Sequence, residues 1–172
     1  MNIFLAVNML AAIFTFRADT VREAELRYGK LYRDYSWEHK DRYLVILDLG
    51  KLNENLSAVR LNRDIAIPFV ITMIELRTEG LLNEITSYQG CYNDRQIRET
   101  NRPSTHAFGL GCDFNGGPFT EEFVEVWERN GWCWGGRFSK PDPMHFSYGW
   151  ECPAKRNAKD VAEASRALLL PD

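Results

Sequence analysis

The chain has 172 residues, enough for one buried core, and its 45% apolar and 13% aromatic content is that of a globular protein rather than a disordered one. A formal net charge of −3 gives no electrostatic case for a nucleic-acid partner, because no basic stripe is present to neutralise phosphates. The charge is also too small to point to a polybasic partner.

In chain order, the apolar run 1–16 comes first and turns charged at Arg17. It has no preceding Lys or Arg, no small-x-small cleavage site, and is too short for a stable membrane span. A buried N-terminal helix or strand is therefore expected. Residues 18–33 are charged with Val21, Ala24, Tyr28 and Leu31 at helical intervals, which predicts a surface helix. Residues 41–49, rich in Val, Ile, Leu and Tyr, suit a strand. Asn62 or Asp64 is the expected N-cap of a long amphipathic helix to residue 79, with Pro68 in its early turns and Gly80 as its stop. A strand is expected over 85–92. Thr120 caps a further helix with Phe123, Val124 and Trp127 on its apolar face, closed by Asn130 and Gly131. A last helix is expected over 158–169. Helices at the flanks and short strands in the middle indicate an α+β fold. Cys91, Cys112, Cys133 and Cys152 form no CxxC pair, which argues against a four-thiolate zinc site. They would suffice for two disulfides in an oxidising compartment, but a chain this size does not need them. Small buried apolar residues are the expectation.

Two short stretches carry the chemistry. The first holds Ser104, His106, Gly109, Gly111 and Asp113; the second holds Asp142, His145 and Phe146. Two imidazoles and one carboxylate are the three-ligand set of an open catalytic zinc site, with one position left for water. Gly109 and Gly111 let the backbone turn tightly between His106 and Asp113, so the two side chains can converge. His145 arrives from a separate segment, as expected where a metal ties two elements together. Asp142, three residues before His145, is placed to act as a general base beside the metal. Arg95 and Arg98, upstream of the first stretch, are the candidates to balance charge developing on an attacked carbonyl. His39, in a charged run, reads as a surface residue. Trp132, Trp134 and Phe138 read as core more readily than as a substrate platform. The residue types fit metal-assisted amide hydrolysis.

At these positions the sequence resembles the M15 metallopeptidases, zinc D-Ala-D-Ala carboxypeptidases and L-alanyl-D-glutamate endopeptidases acting on peptidoglycan. Their pattern S-x-H-x-x-G-x-A-x-D, followed by [DE]-x-x-H, is met by Ser104, His106, Gly109, Asp113, Asp142 and His145. The segment from Gly90 to Arg95 is similar to the family's turn with a substrate-binding arginine, which favours Arg95 over Arg98. The stretch from Gly131 to Phe146 is similar to the approach to the last zinc ligand in phage-type members.

The resemblance covers roughly residues 59–150. It implies a small antiparallel sheet carrying one zinc ion and flanked by helices, as in D-Ala-D-Ala metallopeptidases and hedgehog-like domains. It further implies His106, Asp113 and His145 as ligands, Asp142 as base, and Ser104 and Arg95 as substrate contacts. On this reading residues 1–50 are an unassigned segment packed on the core, and 51–172 the catalytic domain. Gly111 and Cys112 depart from the family's usual small-then-apolar pair, and a thiol beside Asp113 would be open to oxidation or metal competition. Asp at 142 favours an endolysin-type L-alanyl-D-glutamate endopeptidase over a D-Ala-D-Ala carboxypeptidase. The expected partner is a peptidoglycan peptide and the expected place the bacterial cell wall, for a phage lytic or bacterial remodelling enzyme whose export route is open. A non-catalytic zinc-bearing binding domain is the competing reading from another class.

Overall fold

A side-chain cap sets where the first described helix begins. In the computed structural model, which describes residues 20–31, 37–38, 40–115, 118–149 and 151, the Thr20 hydroxyl accepts the Glu23 amide at 3.1 Å. That cap starts α1 (Val21–Tyr28), which buries Ala24 and Tyr28 and ends at Gly29 with φ 97°. The helix is shorter than the span 18–33 expected. The apolar start, His39 and the expected helix 158–169 lie outside the described residues.

The expected strand over 41–49 divides. A single helical turn, α2 (Lys40–Tyr43), takes its charged beginning, and β1 (Leu44–Leu47) its aliphatic middle. The reason is Tyr43, whose ring lies against Tyr28 at 5.0 Å and Trp37 at 6.0 Å, an inward placement that a turn of helix supplies. β1 pairs antiparallel with β2 (Val59–Asn62), Leu44 opposite Asn62 and Leu47 opposite Val59.

Asn62 then does two things. Its Oδ1 accepts the Asp64 amide at 3.0 Å and opens a 3-10 turn, Arg63–Ile65, that runs into α3 (Ala66–Thr78). Its backbone N–H and Nδ2 donate to the carbonyls of Gly109 and Phe108 at 3.0 and 3.1 Å. Pro68 falls in the first turn of α3, and Gly80 closes the region with φ 76°. The expected amphipathic helix is instead apolar almost all round. Pro68, Phe69, Ile71, Thr72, Met73 and Leu76 are buried, while Ile67 and Ile74 stand on the open side. A helix of that kind is central rather than peripheral.

The second sheet has the order β3-β4-β6-β5, all antiparallel: β3 (Tyr88–Gly90), β4 (Gly111–Phe114), β5 (Cys133–Trp134) and β6 (His145–Ser147). β3 is shorter than the 85–92 expected because the Asn115 side chain accepts the Thr86 and Ser87 amides, both at 2.9 Å, where strand pairing would have done so. Between β4 and β5 runs α4 (Glu121–Arg129), capped by Thr120, whose hydroxyl accepts the Phe123 amide at 3.3 Å. Trp127 of α4 stacks on Phe146 of β6 at 4.5 Å and meets Phe114 of β4 at 5.2 Å and Phe69 of α3 at 5.9 Å. The core is thus where two helices meet the sheet. Trp132, 1% exposed, belongs to it, and so do Tyr28, Trp37 and Phe108 at the far end. Helices packed on small antiparallel sheets make this an α+β fold, as the pattern of elements implied.

The cysteines correct the sequence reading. Cys91 and Cys112 are buried as expected, but as a disulfide, and Cys133 is disulfide-bonded too. Strand register is the cause. β3 and β4 set Gly90 opposite Asp113, so the next pair across the strands is Cys91 and Cys112, with Cα atoms 3.9 Å apart.

Candidate metal centre

Two of the three expected ligands sit on strands and the third in a turn. His106 lies in a 3-10 turn, Thr105–Phe108, that Ser104 caps by accepting the His106 amide at 3.3 Å. Gly109 ends that turn with φ 67°, and a side chain there would come within 2.9 Å of the Asn62 backbone nitrogen. The left-handed angle and the close approach both require glycine. Asp113 is on β4 and His145 on β6, and the register places them directly opposite one another. The sheet itself therefore aligns two of the three side chains, and the turn held by Asn62 brings in the third.

The three meet at one point. His106 Nε2 lies 2.9 Å from Asp113 Oδ1 and 3.0 Å from His145 Nδ1, and His145 Nδ1 lies 2.8 Å from Asp113 Oδ1. The histidines are 2% and 3% exposed and the Asp113 side chain 15%, so the cluster is dry at its base and reachable from one side. The far nitrogens decide what the near ones can do. His106 Nδ1 faces the Cys91 carbonyl at 3.1 Å, which can only accept, so that nitrogen carries the proton. His145 Nε2 faces the Glu151 carboxylate at 2.7 Å, with the same consequence. With both rings neutral, the three facing atoms are all acceptors. Three lone pairs at such spacing repel unless a cation stands among them, and this donor set fits zinc.

Electrostatics agree with that arrangement. Burial lowers His106 below the usual histidine range, which keeps it neutral. Burial also opposes charge on His145, but hydrogen bonds to Asp113 and Glu151 outweigh it and push the ring up to about 9. Asp113 is buried too, yet its bonds to the two imidazoles hold it well below the usual carboxylate range. Without a metal, one proton on His145 serves as the cation between the carboxylates. A metal bound there would displace it.

The remaining expected residues surround this cluster. Arg95 places a guanidinium nitrogen 3.6 Å from Asp113 Oδ2, whereas Arg98 is exposed. Ser104 is buried, with its oxygen occupied by the turn it caps. Asp142 is half-buried in the turn before β6, where its amide donates to the Gly135 carbonyl at 2.9 Å and its carbonyl accepts the His145 amide at 3.1 Å. Its carboxylate is not part of the three-residue cluster. Gly135 is small because the Asp142 carbonyl would lie 2.3 Å from any Cβ there. Phe138 lies 6.2 Å from the His145 ring, and Trp134 donates its indole N–H to the Pro143 carbonyl at 2.8 Å, so both brace the same turn.

Sequence reasoning missed Glu151 and Thr105. Glu151 Oε1 accepts the Thr105 amide at 2.8 Å, and its Oε2 accepts the Thr105 hydroxyl at 2.9 Å. A single Glu beyond the last strand carries no spacing that marks it, and Thr105 was hidden by standing between two motif residues.

The family model described as D-alanyl-D-alanine carboxypeptidase matches residues 98–148, a stretch that contains all three clustered residues and Asp142. Comparison with curated proteins and with solved structures finds no match. Among the described residues, no helix is long and apolar enough to cross a membrane.

Proposed function

Starting from the M15 peptidases, the family to which residues 98–148 match, we propose that this chain is a zinc-dependent peptidase that cuts peptidoglycan stem peptides at the bacterial cell wall. The observation that carries this reading is the convergence of His106, Asp113 and His145 with both far nitrogens already committed. Zinc held there supplies Lewis-acid polarisation of a peptide carbonyl and acidifies water. Asp142 takes the proton that the attacking water loses as its oxygen bonds to the carbonyl carbon. The same carboxyl group delivers that proton to the leaving nitrogen as the C–N bond breaks. Arg95 binds a substrate carboxylate and offsets charge at the reacting centre. Ser104 keeps its O–H as a donor toward the substrate while its oxygen caps the turn.

For the bond cut, Asp rather than Glu at position 142 favours an L-alanyl-D-glutamate endopeptidase of the endolysin type. The description of the matched family favours the second reading, removal of a terminal D-alanine. Mass spectrometry of peptidoglycan fragments, incubated with zinc-loaded and with chelated protein, separates them. New fragments beginning at D-glutamate are expected. Loss of terminal D-alanine moves the chain to the carboxypeptidases. Zinc uptake without zinc-dependent cleavage overturns the enzymatic reading in favour of a binding domain.

A further inference from the structure

We propose that Glu151 is the positioning residue of the metal centre, holding His145 as an Nδ1 ligand and tying it to the turn that carries His106. This rests on the zinc reading above and goes beyond it, because no motif reaches this residue.

Three contacts converge on one carboxylate. Oε2 accepts from His145 Nε2 at 2.7 Å and from the Thr105 hydroxyl at 2.9 Å, while Oε1 accepts the Thr105 amide at 2.8 Å. The Glu151 side chain is 9% exposed, so little water competes for these bonds. Thr105 immediately precedes His106, and Ser147, two residues past His145, donates its hydroxyl to Thr105 Oγ1 at 3.3 Å. The segments bearing the two histidines, far apart in sequence, are thereby fastened to a common anion.

The backbone beneath leaves room for the Thr105 and His145 side chains. A Cβ on Gly111 would lie 2.5 Å from Thr105 Oγ1 and 2.7 Å from His145 Cε1. The missing side chain is filled by the two groups that Glu151 holds. A carboxylate on the remote nitrogen fixes the ring's tautomer and orientation and makes the near nitrogen more basic, and loss of such partners costs metal affinity.

The test is zinc affinity, measured by competition with a chelator, for the parent protein, Glu151→Gln and Thr105→Val. Glu151→Gln keeps shape and removes charge, and is expected to weaken zinc binding about 10- to 100-fold. Thr105→Val, which keeps the anion, is expected to lose less. In the zinc-loaded parent, nitrogen NMR of the imidazoles is expected to show His145 with a proton on Nε2, moved far downfield by its bond to the carboxylate. That signal needs no variant and no activity. A zinc-loaded His145 with its proton on Nδ1 overturns the proposal, as does unchanged affinity in Glu151→Gln. Failure of the parent to take up zinc overturns the metal reading itself, whereas uptake by the parent and an unaltered Glu151→Gln removes only the role of Glu151.

Discussion

Replacing Asp142 with Asn removes a proton acceptor while keeping the side chain's size. Because its carboxylate lies outside the three-residue cluster, Asp142→Asn is expected to bind zinc at parent stoichiometry and lose about 10²- to 10⁴-fold in kcat. Metal analysis beside steady-state kinetics checks this, and full turnover in the variant would end the base assignment. Gly111→Ala acts differently. Its methyl displaces the Thr105 hydroxyl and the His145 ring, so zinc affinity is expected to fall by about tenfold or more while far-UV dichroism stays that of the parent. At this scale the three residues that converge were legible in the sequence. Histidine, aspartate and glycine at those spacings have few other uses in combination. Glu151 was not legible, because its meaning comes from a fold that brings residue 151 beside residue 105.

Elements carry the next layer of dependence. The disulfide joins the residue just past β3 to β4, and the carbonyl of its Cys91 orients His106. Its sequence separation of 21 corresponds to about 3 kcal/mol of loop-closure entropy removed from the unfolded chain. Cys91→Ala combined with Cys112→Ala is expected to lose about that much stability in denaturant titration; a loss under about 1 kcal/mol would show that the bond is incidental. Two helix starts were marked, since Thr120 caps α4 and Asn62 opens the 3-10 turn that leads into α3, whereas the Thr20 cap starts α1 inside the expected span 18–33. Strand extents were not. Asn115 takes over hydrogen bonds that would otherwise extend β3, and Tyr43 draws the start of β1 into a helical turn. The disulfide depended on register, which composition does not encode.

For the molecule as a whole, the metal-free site couples folding to pH. Folding raises His145 from 6.5 to about 9 against the cost of burial, through Asp113 and Glu151, so this contribution is complete below 6.5 and is lost as pH rises through 9. Burial likewise opposes charge on Glu151, but His145 and Thr105 bring it from 4.5 down to about 2; its contribution is complete above 4.5 and lost as pH falls through 2. His106, lowered by burial, acts the other way and costs stability as pH falls below 6.5, so the chelated protein is expected to melt highest near about pH 6.5. Zinc is expected to raise Tm more at about pH 8 than at about pH 5.5, where it competes with the His145 proton. A Tm of the chelated protein that holds level from about pH 6 to 9 would contradict this. The fold class was legible at this scale from the distribution of helical and strand patterns.

The covalent ring closed between Cys91 and Cys112 encircles Arg95, Ser104 and His106, and it includes the exposed stretch around Arg98 and Glu99. A single cut there by a trypsin-like protease would open the ring without parting the chain. The nicked molecule is expected to run as one species on a gel until reductant is added, and then as two. Damage to this exposed stretch would leave its two ends still fastened beside the clustered residues.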